Sequence, residues 1–186
     1  MSEFSVFADQ NQKLIFVTGG ARSGKSAFAL KEAGKVGGRK AYIATAEALD
    51  EEMAKRIDRH KKLRGDDWDT YEEPLRITEV IKNIEGKYGA IVVDCLTLWL
   101  SNLIHADLDI TQEIENLVEV FKNSGPCLPA GSELFLVSNE VGAGIVPENK
   151  LAREFRDLAG IINQKVAGAS DEVFMVVAGI PIKIKG

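Results

Sequence analysis

The chain has 186 residues, 45% of them hydrophobic and 27% charged, with a formal net charge of −5. That length suits one domain with a sizeable core rather than two, and the acidic balance gives no global attraction for nucleic acid or anionic lipid. No run approaches the roughly 20 apolar residues of a membrane span, residues 1–13 lack a signal-peptide core, and Cys95 and Cys127 have neither metal nor redox spacing, so a cytoplasmic protein with reduced cysteines is expected.

Residues 1–13 read as a tail and residues 14–186 as a single domain. A short apolar strand over 14–18 leads into Gly19-Gly20-Ala21-Arg22-Ser23-Gly24-Lys25-Ser26, which fits G-x-x-x-x-G-K-[ST]. A helix over 25–34 follows, so the glycines sit between strand and helix, as a phosphate-binding loop requires. Backbone N–H groups and the helix dipole suit phosphate there. Lys25 is placed to reach the β- and γ-phosphates, and Ser26 to ligate Mg²⁺.

A second strand is predicted over 40–44 and a helix over 49–64. Helical spacing sets Leu49, Met53, Ile57 and His60 on one stripe. Arg56, Arg59, Lys61, Lys62 and Arg64 surround His60 with positive charge, which lowers its pKa and keeps a neutral, nucleophilic imidazole near pH 7. Such a histidine can attack phosphorus. On the residues alone, a half-buried histidine that merely closes an amphipathic helix is the competing reading. Trp68 suits either packing under a loop or stacking on a base.

Helices are predicted over 75–84, 96–105, 111–123 and 148–167, and strands over 89–93, 133–138 and 172–177. Asp94 ends the apolar Ile91-Val92-Val93 run, where P-loop proteins hold Mg²⁺. A turn or helix-cap role is the alternative. His105 reads as a surface residue at a helix end, 124–131 as a turn-rich connection, and Asn139 to Gly144 as a loop on the same sheet edge as the phosphate loop. Ile180 to Lys185, with Pro181, reads as an edge strand after a tight turn at Gly179. Alternating strands and helices predict an α/β fold: a P-loop NTPase-like, doubly wound, mostly parallel sheet with a short C-terminal edge strand and ligand at the C-terminal strand ends.

Over 14–186 the chain resembles the bifunctional adenosylcobinamide kinase/adenosylcobinamide-phosphate guanylyltransferase (CobU-type) family. The resemblance rests on Phe16 to Ser26, Tyr42 to Ala46, Asp50 to Ile57, His60-Lys61, Arg64, Trp68, Thr70, Glu72, Asn139 to Gly142 and the late-helix set Arg153, Phe155, Arg156, Gly160, Asn163 and Gln164. Gly65 stands where that family often has proline.

The resemblance implies phosphorylation of a hydroxyl of adenosylcobinamide by a nucleoside triphosphate, ATP or GTP. It further implies transfer of GMP from GTP to adenosylcobinamide phosphate, through a covalent GMP adduct at His60. It assigns the GTP site to Gly19, Gly20, Ala21, Arg22, Ser23, Gly24, Lys25 and Ser26, to Ala44, Thr45 and Ala46, to Lys61, Lys62, Leu63 and Arg64, and to Glu72 and Asp94. His60 and Lys25 are the expected catalytic residues, and Ser26 and Asp94 the expected Mg²⁺ ligands. A corrinoid is large for the concave surface of one small domain, so a homo-oligomer, such as a trimer, is expected. The rival readings are a monofunctional P-loop kinase with a structural His60 and a non-catalytic GTP-binding switch.

Overall fold

The computed structural model describes residues 12–47, 51, 64–84, 86–123 and 132–186. Its strands are β1 (Lys13–Gly19), β2 (Lys40–Ala44), β3 (Trp68–Glu72), β4 (Ala90–Asp94), β5 (Glu133–Asn139), β6 (Glu172–Val177) and β7 (Ile180–Lys185). Its helices are α1 (Lys25–Ala33), α2 (Ile77–Asn83), α3 (Leu96–His105), α4 (Ile110–Asn123) and α5 (Lys150–Ala169). All seven strands join one sheet in the order β3-β2-β4-β5-β1-β6-β7. Six run parallel, and β7 returns antiparallel on β6. The fold is a mostly parallel α/β sheet, as the sequence predicts.

Both faces of the sheet are covered, which is why β1, β4 and β5 are almost continuously apolar. On one face Leu14, Phe16, Ile91, Val93 and Leu136 pack with residues of α2 to α5, around the fully buried Trp99. The Trp99 indole N–H donates to the Leu75 carbonyl at 2.7 Å, so burying this large ring leaves no orphaned donor. On the other face Ile15, Val17, Tyr42, Val92 and Val137 meet Ala29 and Ala33 of α1. The small alanines bring that helix close to β4 and β5.

Local chemistry sets the helix ends. The Asn149 side chain accepts from the Ala152 N–H at 3.1 Å and caps α5. Glu73 accepts from the N–H groups of Leu75 and Arg76, so α2 begins only at Ile77. The β6–β7 turn uses Ala178 (φ 52°) and Gly179 (φ 82°), both left-handed, the signature of a two-residue hairpin turn.

β3 is not among the strands anticipated from the sequence. Trp-Asp-Thr-Tyr-Glu is polar and only half-buried or exposed along its length, as suits an edge strand. The histidine-bearing segment, with His60, Lys61, Lys62 and Leu63, lies outside the described residues, as do the tail up to residue 11 and Cys127. Among the described residues no helix is long and apolar enough to cross a membrane.

Candidate active site

Six parallel strands aim their C-terminal ends at one edge, where α/β proteins bind ligands. The phosphate loop leaves β1 at that edge. Arg22 (φ 58°) and Gly24 (φ 97°) are left-handed, and α1 begins at Lys25. Gly24 offers no capping side chain, so the first N–H groups of α1 are not capped by the residue before them. The Lys25 ammonium is buried and donates to the Gly20 carbonyl at 3.1 Å, which folds it back over the loop. Ser23 Oγ is buried with no hydrogen-bond partner among the described residues. Gly20, Ala21 and Arg22 are exposed, and Ser26 is half-buried in the first turn of α1. A glycine-rich loop folded around a buried cation at a helix N-terminus forms a cradle for an anion.

Asp94 ends β4, separated from β1 by β5. Because α1 packs across β4 and β5, its Lys25 end and the end of β4 at Asp94 meet at the same sheet edge. Cys95 registers both charges. Burial pushes its thiol up to about 11, with Asp94 adding and Lys25 opposing. The thiol is buried and free.

The Tyr42 hydroxyl donates to Asp94 Oδ2 at 2.9 Å. Burial, reinforced by Asp94, raises the Tyr42 pKa well above its ordinary value, so the group remains a donor. The guanidinium of Arg64 lies 4.0 Å from the centre of the same ring. Trp68 meets that ring edge-on, with centroids 6.5 Å apart. Arg64, Gly65, Trp68, Thr70 and Glu72 line an open cavity of about 410 Å³. It therefore presents a guanidinium, a carboxylate and an aromatic ring together.

The turn after β2 is held by its neighbours. Thr45 is fully buried; its hydroxyl donates to the Cys95 carbonyl at 2.8 Å and accepts from the Cys95 N–H at 2.7 Å. The Asn102 side chain binds the Thr45 and Pro74 carbonyls at 2.8 and 3.0 Å. Thr45 thus bears on the site by fixing the end of β4, while Ala44 is buried and Ala46 half-buried beside it.

The Asn139–Gly144 loop does share the edge. The Glu140 N–H donates to the Gly19 carbonyl at 2.9 Å, the Asn139 N–H to Thr97 Oγ1 at 2.7 Å, and Asn163 Nδ2 to the Asn139 carbonyl at 3.1 Å. His105 ends α3, exposed.

Four inter-strand steps of about 4.8 Å put β3 roughly 19 Å from β1. The anticipated residues therefore form a row rather than a cluster. The phosphate loop stands at β1, Asp94 is midway on β4, and Arg64 and Glu72 are at the β2–β3 end. Tyr42 and Thr70, named above only among the residues that carry the resemblance, and Asn102 are members that sequence reasoning did not assign to the site. A tyrosine inside an otherwise apolar strand was the available signal, because a buried phenol needs a partner.

The curated protein "Bifunctional adenosylcobalamin biosynthesis protein CobU" of Escherichia coli (strain K12) is 40% identical over 187 residues, covering 92% of this chain and 99% of that protein. The protein of the same name from Salmonella typhimurium (strain LT2) is 41% identical over 190 residues, with the same coverage. Among solved structures, an ATPase from the type III secretion system of pathogenic bacteria matches with a TM-score of 0.55 at 10% identity, covering 92% of this chain. This chain spans 56% of that ATPase, and the likeness is one of fold, that of the P-loop NTPases. Residues 15–184 match the family described as cobinamide kinase / cobinamide phosphate guanyltransferase, and the chain belongs to that family.

Proposed function

We propose that this chain performs both family reactions at the row of residues along its sheet edge. In the first, a hydroxyl of adenosylcobinamide takes the γ-phosphoryl group of ATP or GTP. In the second, His60 attacks the α-phosphorus of GTP, a P–N bond forms, and the P–O bond to pyrophosphate breaks. The phosphate of adenosylcobinamide phosphate then displaces the histidine, giving adenosylcobinamide-GDP and restoring His60.

The observation that carries this reading is the spacing of the row. A nucleotide laid along it meets Lys25 and the loop amides with its phosphates, and Arg64, Trp68 and Glu72 with its base. Arg64 is four residues past His60, so chain length alone limits their Cα separation to about 14 Å. The nucleophile is thus joined by a short stretch of chain to the Arg64 end of the row. Lys61, Lys62 and Leu63 fill that stretch.

Ser26 and Asp94 are hard oxygen donors, which suits Mg²⁺. Among the described residues no group of three His, Cys, Asp or Glu forms a metal cage, so phosphate oxygens would complete the coordination. When bound, the metal neutralises charge on the phosphates. Lys25 orients the leaving phosphates and stabilises charge that develops on them. The corrinoid lies across a neighbouring subunit in a homo-oligomer, such as a trimer, because one small domain offers limited concave surface to so large a ligand. The setting is the cytoplasm, and nucleic acid has no part.

Incubation with GTP labelled at the α-phosphorus tests the reading. Wild type should yield an acid-labile adduct that maps to His60, and His60→Ala should yield none while keeping the kinase step. Equal labelling of both proteins, or none in wild type, would leave a monofunctional kinase.

A further inference from the structure

Tyr42 stands mid-way along β2, opposite Val92 of β4, yet its hydroxyl reaches Asp94 two residues further up that strand. The ring is 4% exposed and has no room to swing away. Three of its surfaces are occupied by groups of the site. The hydroxyl holds Asp94 Oδ2 at 2.9 Å, one face carries the Arg64 guanidinium at 4.0 Å, and Trp68 abuts it edge-on. Arg64 and Trp68 are also walls of the cavity at the β2–β3 end. One rigid side chain thus touches both the cavity wall and the Asp94 carboxylate.

We propose that Tyr42 is a positioning residue that ties occupancy of the Arg64–Trp68 cavity to the orientation of the Asp94 carboxylate. This rests on the reading that Asp94 serves the metal and the cavity takes the nucleotide base. A hydrogen bond at Oδ2 fixes the plane of the carboxyl group, which otherwise rotates freely about a broad two-fold torsion. A ligand that draws on Arg64 or presses on Trp68 loads the ring, and the packed ring passes that load through its hydroxyl to Asp94. The coupling is reciprocal: a cation at Asp94 tightens the grip on the base, and the base tightens the grip on the cation. In a densely packed interior such a lever transmits rather than absorbs displacement.

The test is calorimetric binding of a non-hydrolysable GTP analogue to the full chain, without metal and across a Mg²⁺ titration. Wild type is compared with Tyr42→Phe, Tyr42→Leu, Asp94→Asn and Tyr42→Phe/Asp94→Asn. Tyr42→Phe keeps the ring under Arg64 and removes only the donor. It should leave metal-free affinity within twofold and raise the Mg²⁺ concentration for half-saturation at least threefold. Tyr42→Leu should weaken metal-free binding as well. The double variant should be no worse than Asp94→Asn, because both changes break one link.

If Asp94→Asn shifts the Mg²⁺ requirement while Tyr42→Phe behaves as wild type, the coupling is wrong and the reading of Asp94 stands. If Asp94→Asn leaves the requirement unchanged, that reading fails and takes the coupling with it. Thermal melts guard the comparison, and Tyr42→Phe, equal in volume, is expected to melt close to wild type.

Discussion

The Gly179 N–H donates to the Ser23 carbonyl at 2.8 Å, so the turn of the last hairpin is bonded directly to the phosphate loop. A Cβ built on Gly24 would stand 3.2 Å from Gly179 Cα, a backbone atom that cannot swing aside. Gly24 also has φ +97°, where an L side chain is strained. Gly24→Ala should therefore spread loop and turn apart and weaken nucleotide binding at least tenfold, about 1.4 kcal/mol. Gly179→Ala has similar strain, φ +82°, with open space for its Cβ. It should lose about 1–2 kcal/mol of stability and keep nucleotide affinity within threefold. Calorimetric titration paired with urea unfolding separates the two, and equal loss of affinity in both would refute the contact argument.

Thr45→Val removes a hydroxyl from a fully buried position with little change in volume. The Cys95 carbonyl still accepts from the Trp99 N–H at 3.1 Å, but the Cys95 N–H loses its partner Thr45 Oγ1. One orphaned buried donor costs about 1–3 kcal/mol. Urea unfolding should show that loss, Thr45→Ser should restore most of it, and kinase turnover in Thr45→Val should fall because Asp94 adjoins the freed segment.

Glu172 joins three strands through ion pairs to Lys13 at 2.6 Å and Lys183 at 2.8 Å. Burial raises its pKa, but the two lysines outweigh burial and hold it below the ordinary carboxylate value. A depressed folded pKa means a contribution present above the unfolded value, about 4.3, and lost as pH falls through the folded one. The gap in urea midpoint between wild type and Glu172→Gln should be constant from about pH 8 to pH 5.5 and close below about pH 4. A gap that persists at low pH would assign the effect to shape rather than charge.

Much of this was legible because the decisive signals are local. Gly19 to Ser26 specify a loop by residue type, and continuous apolar runs such as Leu14 to Val17 specify strands buried on both faces. Asn149 shifts the start of α5 by two residues, a cap effect smaller than a periodic pattern resolves. β3 escaped because it is polar and paired on one side only, so its strand character comes from β2 rather than from its own residues. The contacts made by Tyr42 and Gly179 escaped for a related reason. Their partners, Asp94 and Ser23, lie far off in the chain, and no window of neighbouring residues holds both.

Strand order has a last consequence, for synthesis. β1 lies between β5 and β6, so its hydrogen-bonding partners are Glu133–Asn139 and Glu172–Val177. A ribosome releases Leu-Ile-Phe-Val early and its neighbours late. β2 and β4 can pair with each other first, while β1 stays an unpaired apolar strand until well over half of the chain is out. The residues that later hold the nucleotide most tightly are thus joined to the segment that waits longest for a partner.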